Sequence, residues 1–273
     1  MNWLPVTLGS PGGQWPSIVK NCKFLPLIFG DNITSRTLKS AAKNSTGVNL
    51  PDRILLLDAS SLQTYVGIFK EGRWLCCHKS DEEALNSVFQ EARNCLSQTG
   101  LKLLDLQGFA FCAGPGSTLG IRITTMAING WRSFPSHQNI PVFKYYSLEV
   151  VAYLLIEKGT SPPFTIVSDL RKDLWNHLDV DREGNLSPLK VIKRKEVERI
   201  PHLLLHIRQR NQWLEPPGNA TTIPYSLDDL PEIIVKHQLL LEVSSAEAFV
   251  SQKPTYKPWN PKLKKDEQES REL

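Results

Sequence analysis

The chain has 273 residues, of which 22% are charged and 41% belong to the hydrophobic set, an ordinary composition for a globular protein. Its formal net charge of +4 is too small to indicate nucleic-acid binding. No apolar run approaches the roughly 20 residues of a membrane-spanning helix. These features predict one large domain or two small ones, without a membrane span.

The five cysteines are odd in number and include no Cys-x-x-Cys pair. They therefore indicate small buried thiols in a reducing compartment, rather than a zinc site or a disulfide framework. A secretory leader has a charged start followed by an apolar core, and this pattern is not evident here. The expected location is therefore the cytoplasm.

The two ends of the chain differ in composition from its middle. Residues 1–52 are rich in Gly, Pro, Ser and Asn, and Asp31 is the only acid before Asp52. This predicts a disordered arm or a reading frame begun upstream of the true start, with an organellar leader as the alternative. Residues 253–273 combine prolines with a mixed-charge run and are predicted to be a flexible tail.

Between these ends, apolar and alternating runs predict strands separated by helices. The predicted strands span 54–58, 64–69, 73–78, 106–112, 141–144, 164–168, 174–180 and 189–193. The predicted helices span 80–97, 118–133, 147–157 and 196–209. Strand-rich segments separated by helices occur twice, which predicts an α/β fold of two related lobes. We assign the first lobe to residues 53–160 and a smaller, eroded lobe to 161–252.

Several residues indicate where these helices begin and end. Ser80, followed three residues later by Glu83, predicts a capping box at the start of the first helix, and Gly100 predicts its end. Ser117 and Ser147 are predicted to cap the second and third helices, because a serine hydroxyl can accept a hydrogen bond from a free backbone N–H group.

The first two helices carry many apolar side chains. In the first, Leu85, Val88, Phe89, Ala92 and Leu96 recur at helical spacing. In the second, the apolar residues are too widely distributed for one narrow stripe: Ile121, Ile123, Met126, Ala127, Ile128 and Trp131. The second helix is therefore either deeply buried or exposes an apolar patch to a partner.

The segment Gly114-Pro-Gly-Ser-Thr-Leu-Gly120 lies between a predicted strand and a predicted helix. Glycines here permit positive φ angles and close approach of backbones, and the helix N-terminus could receive an anion. The spacing matches neither a Walker A loop nor Gly-x-Gly-x-x-Gly. We therefore favour a tight structural turn, with phosphate binding as the alternative.

Four other polar residues have two interpretations each. Asp58 could hold a metal-bound phosphate water or cap a turn, and the two are equally supported. Ser117 lacks a nucleophile elbow, which argues against hydrolysis. His202 and His206 share a face of the predicted helix at a spacing that can bind zinc, but no third ligand is evident. We expect two partly exposed histidines and no metal.

Taken in order, the segments 54–60, 103–110, 114–123 and 141–149 resemble the TsaB family, also called YeaZ. The resemblance covers about residues 53–180 and implies the actin-like ATPase (ribonuclease H-like) fold, shared with sugar kinases and Hsp70. The family usually reads Gly-Pro-Gly-Ser-Phe-Thr-Gly-Leu-Arg-Ile-Gly. Here Thr118-Leu119 replaces Phe-Thr and Thr124 replaces the last Gly, which marks a divergent member.

The resemblance implies a function without catalysis. TsaB-like proteins are inactive relatives of TsaD, which transfers threonylcarbamoyl to adenosine 37 of ANN-decoding tRNAs. They bind TsaD through their first two helices, and the ATPase TsaE joins the assembly. TsaD-like enzymes carry His-x-x-x-His metal ligands where this chain has Ser147 and Val151, and neither side chain replaces an imidazole.

We therefore expect a scaffold that touches tRNA only through the complex, needs no cofactor beyond weak ATP or ADP binding, and pairs with a TsaD-like transferase or with its own copy. The predicted partner-binding residues are Leu85, Val88, Phe89, Ala92, Leu96, Ile123, Met126, Ala127 and Trp131. The residues predicted to form the loop site, which could contact a nucleotide, are Asp58, Gly114, Gly116, Ser117, Gly120 and Arg122.

A charge at Ala127 or Val88 is expected to break the complex and leave the monomer folded. One alternative function is an ATPase or small-molecule kinase that uses Asp58 and the glycine loop. Another is a zinc peptidase, as older names for the family suggest.

Overall fold

The computed structural model describes residues 50–171, 173–208 and 215–248. The predicted arm, up to residue 49, and the predicted tail at 253–273 lie outside the described residues. No helix within the described ranges is long and apolar enough to cross a membrane.

The first lobe is built on a mixed sheet. Its elements are β1 (Ile54–Asp58), β2 (Thr64–Lys70), β3 (Arg73–Ser80), α1 (Ala84–Thr99), β4 (Gly108–Gly114), α2 (Thr118–Arg132), β5 (Val142–Tyr146) and α3 (Ser147–Glu157). Strands β1 to β3 pair antiparallel, whereas β4 and β5 follow in parallel on the other side of β1. Strands β1 and β4 are buried at every position, as their continuous apolar runs predict.

The second lobe repeats this plan. Its elements are β6 (Phe164–Arg171), β7 (Leu174–Val180), β8 (Lys190–Lys193), α4 (Arg194–Val197), β9 (Leu203–Ile207) and β10 (Ala220–Ile223), followed by α5 (Leu230–Lys236) and β11 (Leu241–Val243). The sheet order is β10-β9-β6-β7-β8, and the first sheet reads β11-β5-β4-β1-β2-β3. In both, an antiparallel three-strand meander precedes two parallel strands. This repetition confirms the predicted α/β fold of two related lobes.

The second lobe has less helix than the first. Helix α4 has 4 residues where its counterpart α1 has 16. The segment corresponding to α2 falls partly in residues 209–214, outside the described residues. Strand β11 then pairs antiparallel with β5, so the chain returns to the first sheet although we assigned this stretch to the second lobe.

Helix α3 joins the two lobes. Val150 and Leu154 pack in the core on one face of the first sheet, together with α5. Leu148 and Ala152 pack in the core of the second sheet. A helix that is apolar around much of its circumference is buried on more than one side, and this position between the sheets satisfies that requirement. The other face of the first sheet is covered by α1 and α2.

The predicted capping box of the first helix is wrong. Strand β3 continues through Ser80, which pairs with Thr64, so α1 begins only at Ala84. Glu83 occupies the N-cap position without a side-chain cap, and the Ser80 hydroxyl accepts from the N–H of Glu82 instead. The predicted end is confirmed, because Gly100 has a φ angle of 68° and its N–H bonds to the last turn.

The predicted helix over 196–209 is also wrong. Helix α4 ends at Val197, and Pro201, which cannot donate a backbone hydrogen bond, precedes strand β9. The apolar run that begins at Leu203 pairs in parallel with β6 on one side and with β10 on the other. Short apolar runs fit a buried strand or a buried helix equally well, and here the two neighbouring strands determine the result.

Candidate functional site

The candidate site lies where the parallel strands of the first sheet end. Strand β1 ends at Asp58, β4 at Gly114 and β5 at Tyr146. Because carboxyl ends of parallel strands share one edge of a sheet, these ends and the loops that follow them lie together. The aspartate and the glycine loop that the sequence indicated separately therefore belong to one place.

Asp58 is fully buried and its carboxylate is bound by three donors of the chain itself. The hydroxyls of Tyr145 and Tyr225 donate to Oδ2 over 2.6 and 2.7 Å, and the N–H of Ser60 donates to Oδ1 over 2.8 Å. Burial, and after it the charge of Asp58, raises the pKa of both tyrosines well above the usual range, so both stay protonated donors. Asp58 thus caps the turn after β1 and joins Tyr225 to the first sheet.

The glycine loop packs directly against the turn after β1. A Cβ atom on Gly116 would overlap the carbonyl oxygen of Ser60, and one on Gly120 would overlap that of Ala59. Gly114 has a φ angle of 123°, which side-chain-bearing residues rarely adopt. The glycines therefore allow a close approach between two backbone segments, as the structural-turn interpretation predicts.

Hydrogen bonds within the chain use the polar groups of this loop. The N–H of Ser117 donates to Ser60 O over 2.7 Å, and the Ser117 hydroxyl accepts from the N–H of Gly120 over 3.3 Å. Ser117 is thus the predicted N-cap of α2. Ser147 does not cap α3, because its hydroxyl donates to Pro115 O over 2.7 Å and holds the loop from the other side.

Replacing Ser117 with alanine tests this role. We expect the free energy of unfolding to fall by about 1 kcal/mol, because one N–H of α2 loses its acceptor. Urea denaturation followed by circular dichroism measures the change. Replacement by threonine or aspartate, which also cap helices, should restore most of the loss. A loss equal in the threonine, aspartate and alanine variants would contradict the capping role.

The outer surface of α1 and α2 exposes large apolar side chains. Leu85 and Phe89 on α1 are 60% and 46% exposed, and Leu119 and Met126 on α2 are 69% and 73% exposed. The Phe89 ring packs edge-on against Trp131, with ring centroids 6.0 Å apart, and so links the two helices. We call Leu85, Phe89, Leu119 and Met126 the α1/α2 face. Ile123, Leu96 and Trp131 are partly buried beside it.

Three predicted partner-binding residues do not lie on this surface. Val88, Ala92 and Ala127 are at most 3% exposed and belong to the core between the helices and the sheet. The expectation that a charge at Val88 or Ala127 leaves the monomer folded is therefore wrong, because a charge there would be buried without a partner. Arg122 is exposed on α2, on the helix that follows the loop.

The two histidines are not on a helix. His206 is fully buried on β9, with Nδ1 3.2 Å from the Thr222 hydroxyl. His202 precedes that strand, with Nε2 2.7 Å from the Thr165 hydroxyl. Among the residues that the structure describes, no group of three or more His, Cys, Asp or Glu side chains could hold a metal ion.

The sheet orders and the glycine loop define the chain as an actin-like ATPase (ribonuclease H-like) fold. Two solved structures share it. One is YeaZ from Pseudomonas aeruginosa, 19% identical, covering 73% of this chain and 100% of its own, with a TM-score of 0.54. The other is described as an uncharacterized protein with similarity to peptidase YeaZ from Pseudomonas aeruginosa, 18% identical over 74% of this chain and 100% of its own, with a TM-score of 0.55.

The chain therefore has the fold of the YeaZ structures, which confirms the sequence resemblance at the level of the fold. No family model matches the chain, and no curated protein matches it.

Sequence reasoning missed both tyrosines that bind Asp58. Tyr145 could have been found, because it lies at the end of a strand parallel to β1. Tyr225 carries no local signal, because it lies 167 residues beyond Asp58. The exposure of Leu119, the second residue of α2, was also missed.

Proposed function

We propose that this chain is a non-catalytic partner subunit in the synthesis of threonylcarbamoyladenosine in tRNA, and that it binds a TsaD-like transferase in the cytoplasm. The observation that carries the proposal is the α1/α2 face. Four large apolar side chains are exposed on two adjacent helices that follow β3 and β4. Exposed apolar groups gathered on one surface are typical of protein interfaces.

The geometry at Asp58 supports a role without catalysis. A carboxylate that binds a metal or a phosphate water must be accessible, whereas Asp58 is fully buried and bound by two phenols and a backbone N–H. After β4, the N–H groups of Ser117 and Gly120 likewise donate to oxygen atoms of the chain itself. A nucleotide phosphate would have to displace these partners.

The test is co-expression of the full chain with the TsaD-like transferase of the same organism, followed by size-exclusion chromatography with light scattering. We expect a one-to-one complex. The double variant Phe89→Glu, Met126→Glu should bind more than about 30-fold more weakly, because losing one central apolar contact costs about 2 kcal/mol. Both side chains are exposed, so the variant should stay folded.

Val235→Glu is the matched control. Val235 is also an exposed apolar side chain on a helix, at 42%, but α5 packs on the opposite face of the first sheet from α1 and α2. It should bind like the unchanged chain. Equal binding by all three proteins would refute this interface, and a homodimer lost only in the double variant would show that the face serves a second copy. A TsaE-like ATPase is the expected third component.

A further inference from the structure

The described residues end beside the helix that carries half of the α1/α2 face. Strand β11 pairs with β5, and the residues after it cross the last turns of α2. The Asn129 side chain donates to Ala246 O over 2.9 Å and accepts from the Ala246 N–H over 3.2 Å. Arg132 donates to Ser244 O over 2.6 Å. Segment 244–246 is therefore fixed to α2 just before the described residues end at Ala248.

This attachment lies close to the α1/α2 face. Asn129 is exposed and follows Met126 by three residues, so the two lie on the same outward side of α2. Along the helix axis, Met126 is about 5 Å and Leu119 about 15 Å from Asn129. An extended chain advances about 3.3 Å per residue, and a neighbouring helix axis lies about 10 Å away. Roughly ten residues beyond Ala248 are therefore long enough to cross both helices.

The sequence that follows is suited to such a surface. We call residues 249–265 the basic segment, because they contain five lysines and no acid: Lys253, Lys257, Lys262, Lys264 and Lys265. Apolar and aromatic residues are interspersed among these lysines: Phe249, Val250, Tyr256, Trp259 and Leu263. Tyrosine and tryptophan are the side chains that most often anchor a protein contact.

The charges of the first helix are complementary to those of the basic segment. Residues 81–99 carry one cation, Arg93, and four acids: Asp81, Glu82, Glu83 and Glu91. The first three acids are exposed and directly precede α1, close to Leu85 of the α1/α2 face. Helix α2 carries Arg122 and Arg132 instead, so the attraction acts at the beginning of α1.

We propose that the basic segment binds the α1/α2 face of its own chain. Its apolar and aromatic side chains contact Leu85, Phe89 and Met126, and its lysines pair with the carboxylates before α1. A partner that uses this face must then displace the segment, so the segment regulates partner binding. That consequence rests on the proposed function, whereas the contact within the chain does not.

Oxidation of Met126 by hydrogen peroxide measures how often the face is open. Met126 and Met1 are the two methionines of the chain, and trypsin releases Met126 in peptide 123–132. We compare the full chain with the full-length double variant Tyr256→Ser, Trp259→Ser by mass spectrometry of this peptide. Met126 should oxidise about tenfold faster in the double variant, the ratio expected when the segment covers the face about nine-tenths of the time.

Leu273→Ser is the matched control, because Leu273 is an apolar residue beyond the basic segment. It should oxidise at the rate of the unchanged chain. Raised salt should speed oxidation of the unchanged chain, since it screens the lysines, and should leave the double variant unaffected. Circular dichroism checks that each variant is folded. Equal Met126 rates in all three proteins would overturn the proposal, as would protection that disappears on dilution, which would show that a second copy covers the face.

Binding to a TsaD-like transferase gives a separate measurement. If the partner binds only the open face, the double variant should bind more tightly by the same factor by which Met126 oxidises faster. Protection of Met126 without any complex would overturn the proposed function and support the contact within the chain. A complex of equal affinity in both proteins, with equal Met126 rates, would support the proposed function and overturn the role of the basic segment.

Discussion

Replacing Gly120 with alanine is expected to lower the free energy of unfolding by about 3 kcal/mol, the upper end of the usual cost of overpacking, because the neighbouring atoms are rigid. The new Cβ would overlap the carbonyl oxygen of Ala59, and its next neighbours are the carbonyl carbon and Cβ of Ala59. Backbone atoms cannot rotate away as a long side chain can. Either α2 must move off the sheet or the turn after β1 must distort, and both disturb a core that is buried throughout.

Gly130→Ala provides the matched control on the same helix. A Cβ at Gly130 meets nothing within 4 Å, so the change should stabilise the chain by about 0.5–1 kcal/mol through helix propensity alone. Chemical denaturation followed by circular dichroism measures both variants. Gly116→Ala should behave like Gly120→Ala, because its Cβ would overlap Ser60 O. If Gly120→Ala were as stable as Gly130→Ala, the close approach of the two backbones would be wrong.

Most strands of both lobes could be predicted because their local patterns agree with their final environment. Ile54–Asp58 is continuously apolar and is buried on both faces in the middle of a sheet. Leu174–Val180 lies in an antiparallel hairpin with the bounds that we predicted. Where the local pattern and the tertiary environment agree, the sequence alone is sufficient.

Both helices chosen as the candidate interface expose apolar side chains, but three of the nine side chains that we chose are buried. Val88 and Phe89 are adjacent and both apolar, yet one is fully buried and the other is 46% exposed. Two helices on one face of a sheet pack against each other as well as against the sheet. The apolar stripe of each helix is therefore wider than the part of it that contacts the sheet. Which edge of the stripe stays exposed depends on the contact between α1 and α2, and this contact is not encoded in either helix alone.

The polar site at Asp58 shows a second limit. The aspartate and the glycine loop lie at the ends of strands and were recognised from local sequence. Their chemical meaning depends on Tyr145 and Tyr225, which reach the carboxylate from distant positions. A buried aspartate bound by phenols and an open aspartate that binds a metal have the same local sequence, so the pattern could not choose between a turn cap and a catalytic group.

Asp58→Ala is expected to lower the free energy of unfolding by about 3–5 kcal/mol, because this is the usual cost of removing a buried charged hydrogen-bond partner. The change leaves three buried donors without their acceptor, namely the hydroxyls of Tyr145 and Tyr225 and the N–H of Ser60. It also removes the link from Tyr225 to the first sheet. Thermal and urea denaturation measure the loss.

Two further variants divide this effect. Tyr145→Phe and Tyr225→Phe each remove one donor and keep the ring, so each should cost about 1–3 kcal/mol. Tyr153→Phe is the control, because the Tyr153 ring stacks on His237 with centroids 4.0 Å apart and not on the Asp58 site. When Tyr145→Phe or Tyr225→Phe is combined with Asp58→Ala, the loss of stability should be less than the sum of the two single losses, since the three groups share one network.

The same variants distinguish a scaffold from an ATPase. If Asp58 holds the structure together, Asp58→Ala destabilises the chain strongly, and the phenylalanine variants destabilise it without creating ATP turnover. If Asp58 serves phosphate chemistry, its removal abolishes turnover at little cost in stability, because functional carboxylates are commonly retained at the expense of stability. Saturable ATP hydrolysis by the unchanged chain, lost in an Asp58→Ala variant that unfolds at the same urea concentration, would therefore overturn the structural role of Asp58. Strong destabilisation without turnover in any variant supports a structural carboxylate that joins Tyr225 to the first sheet.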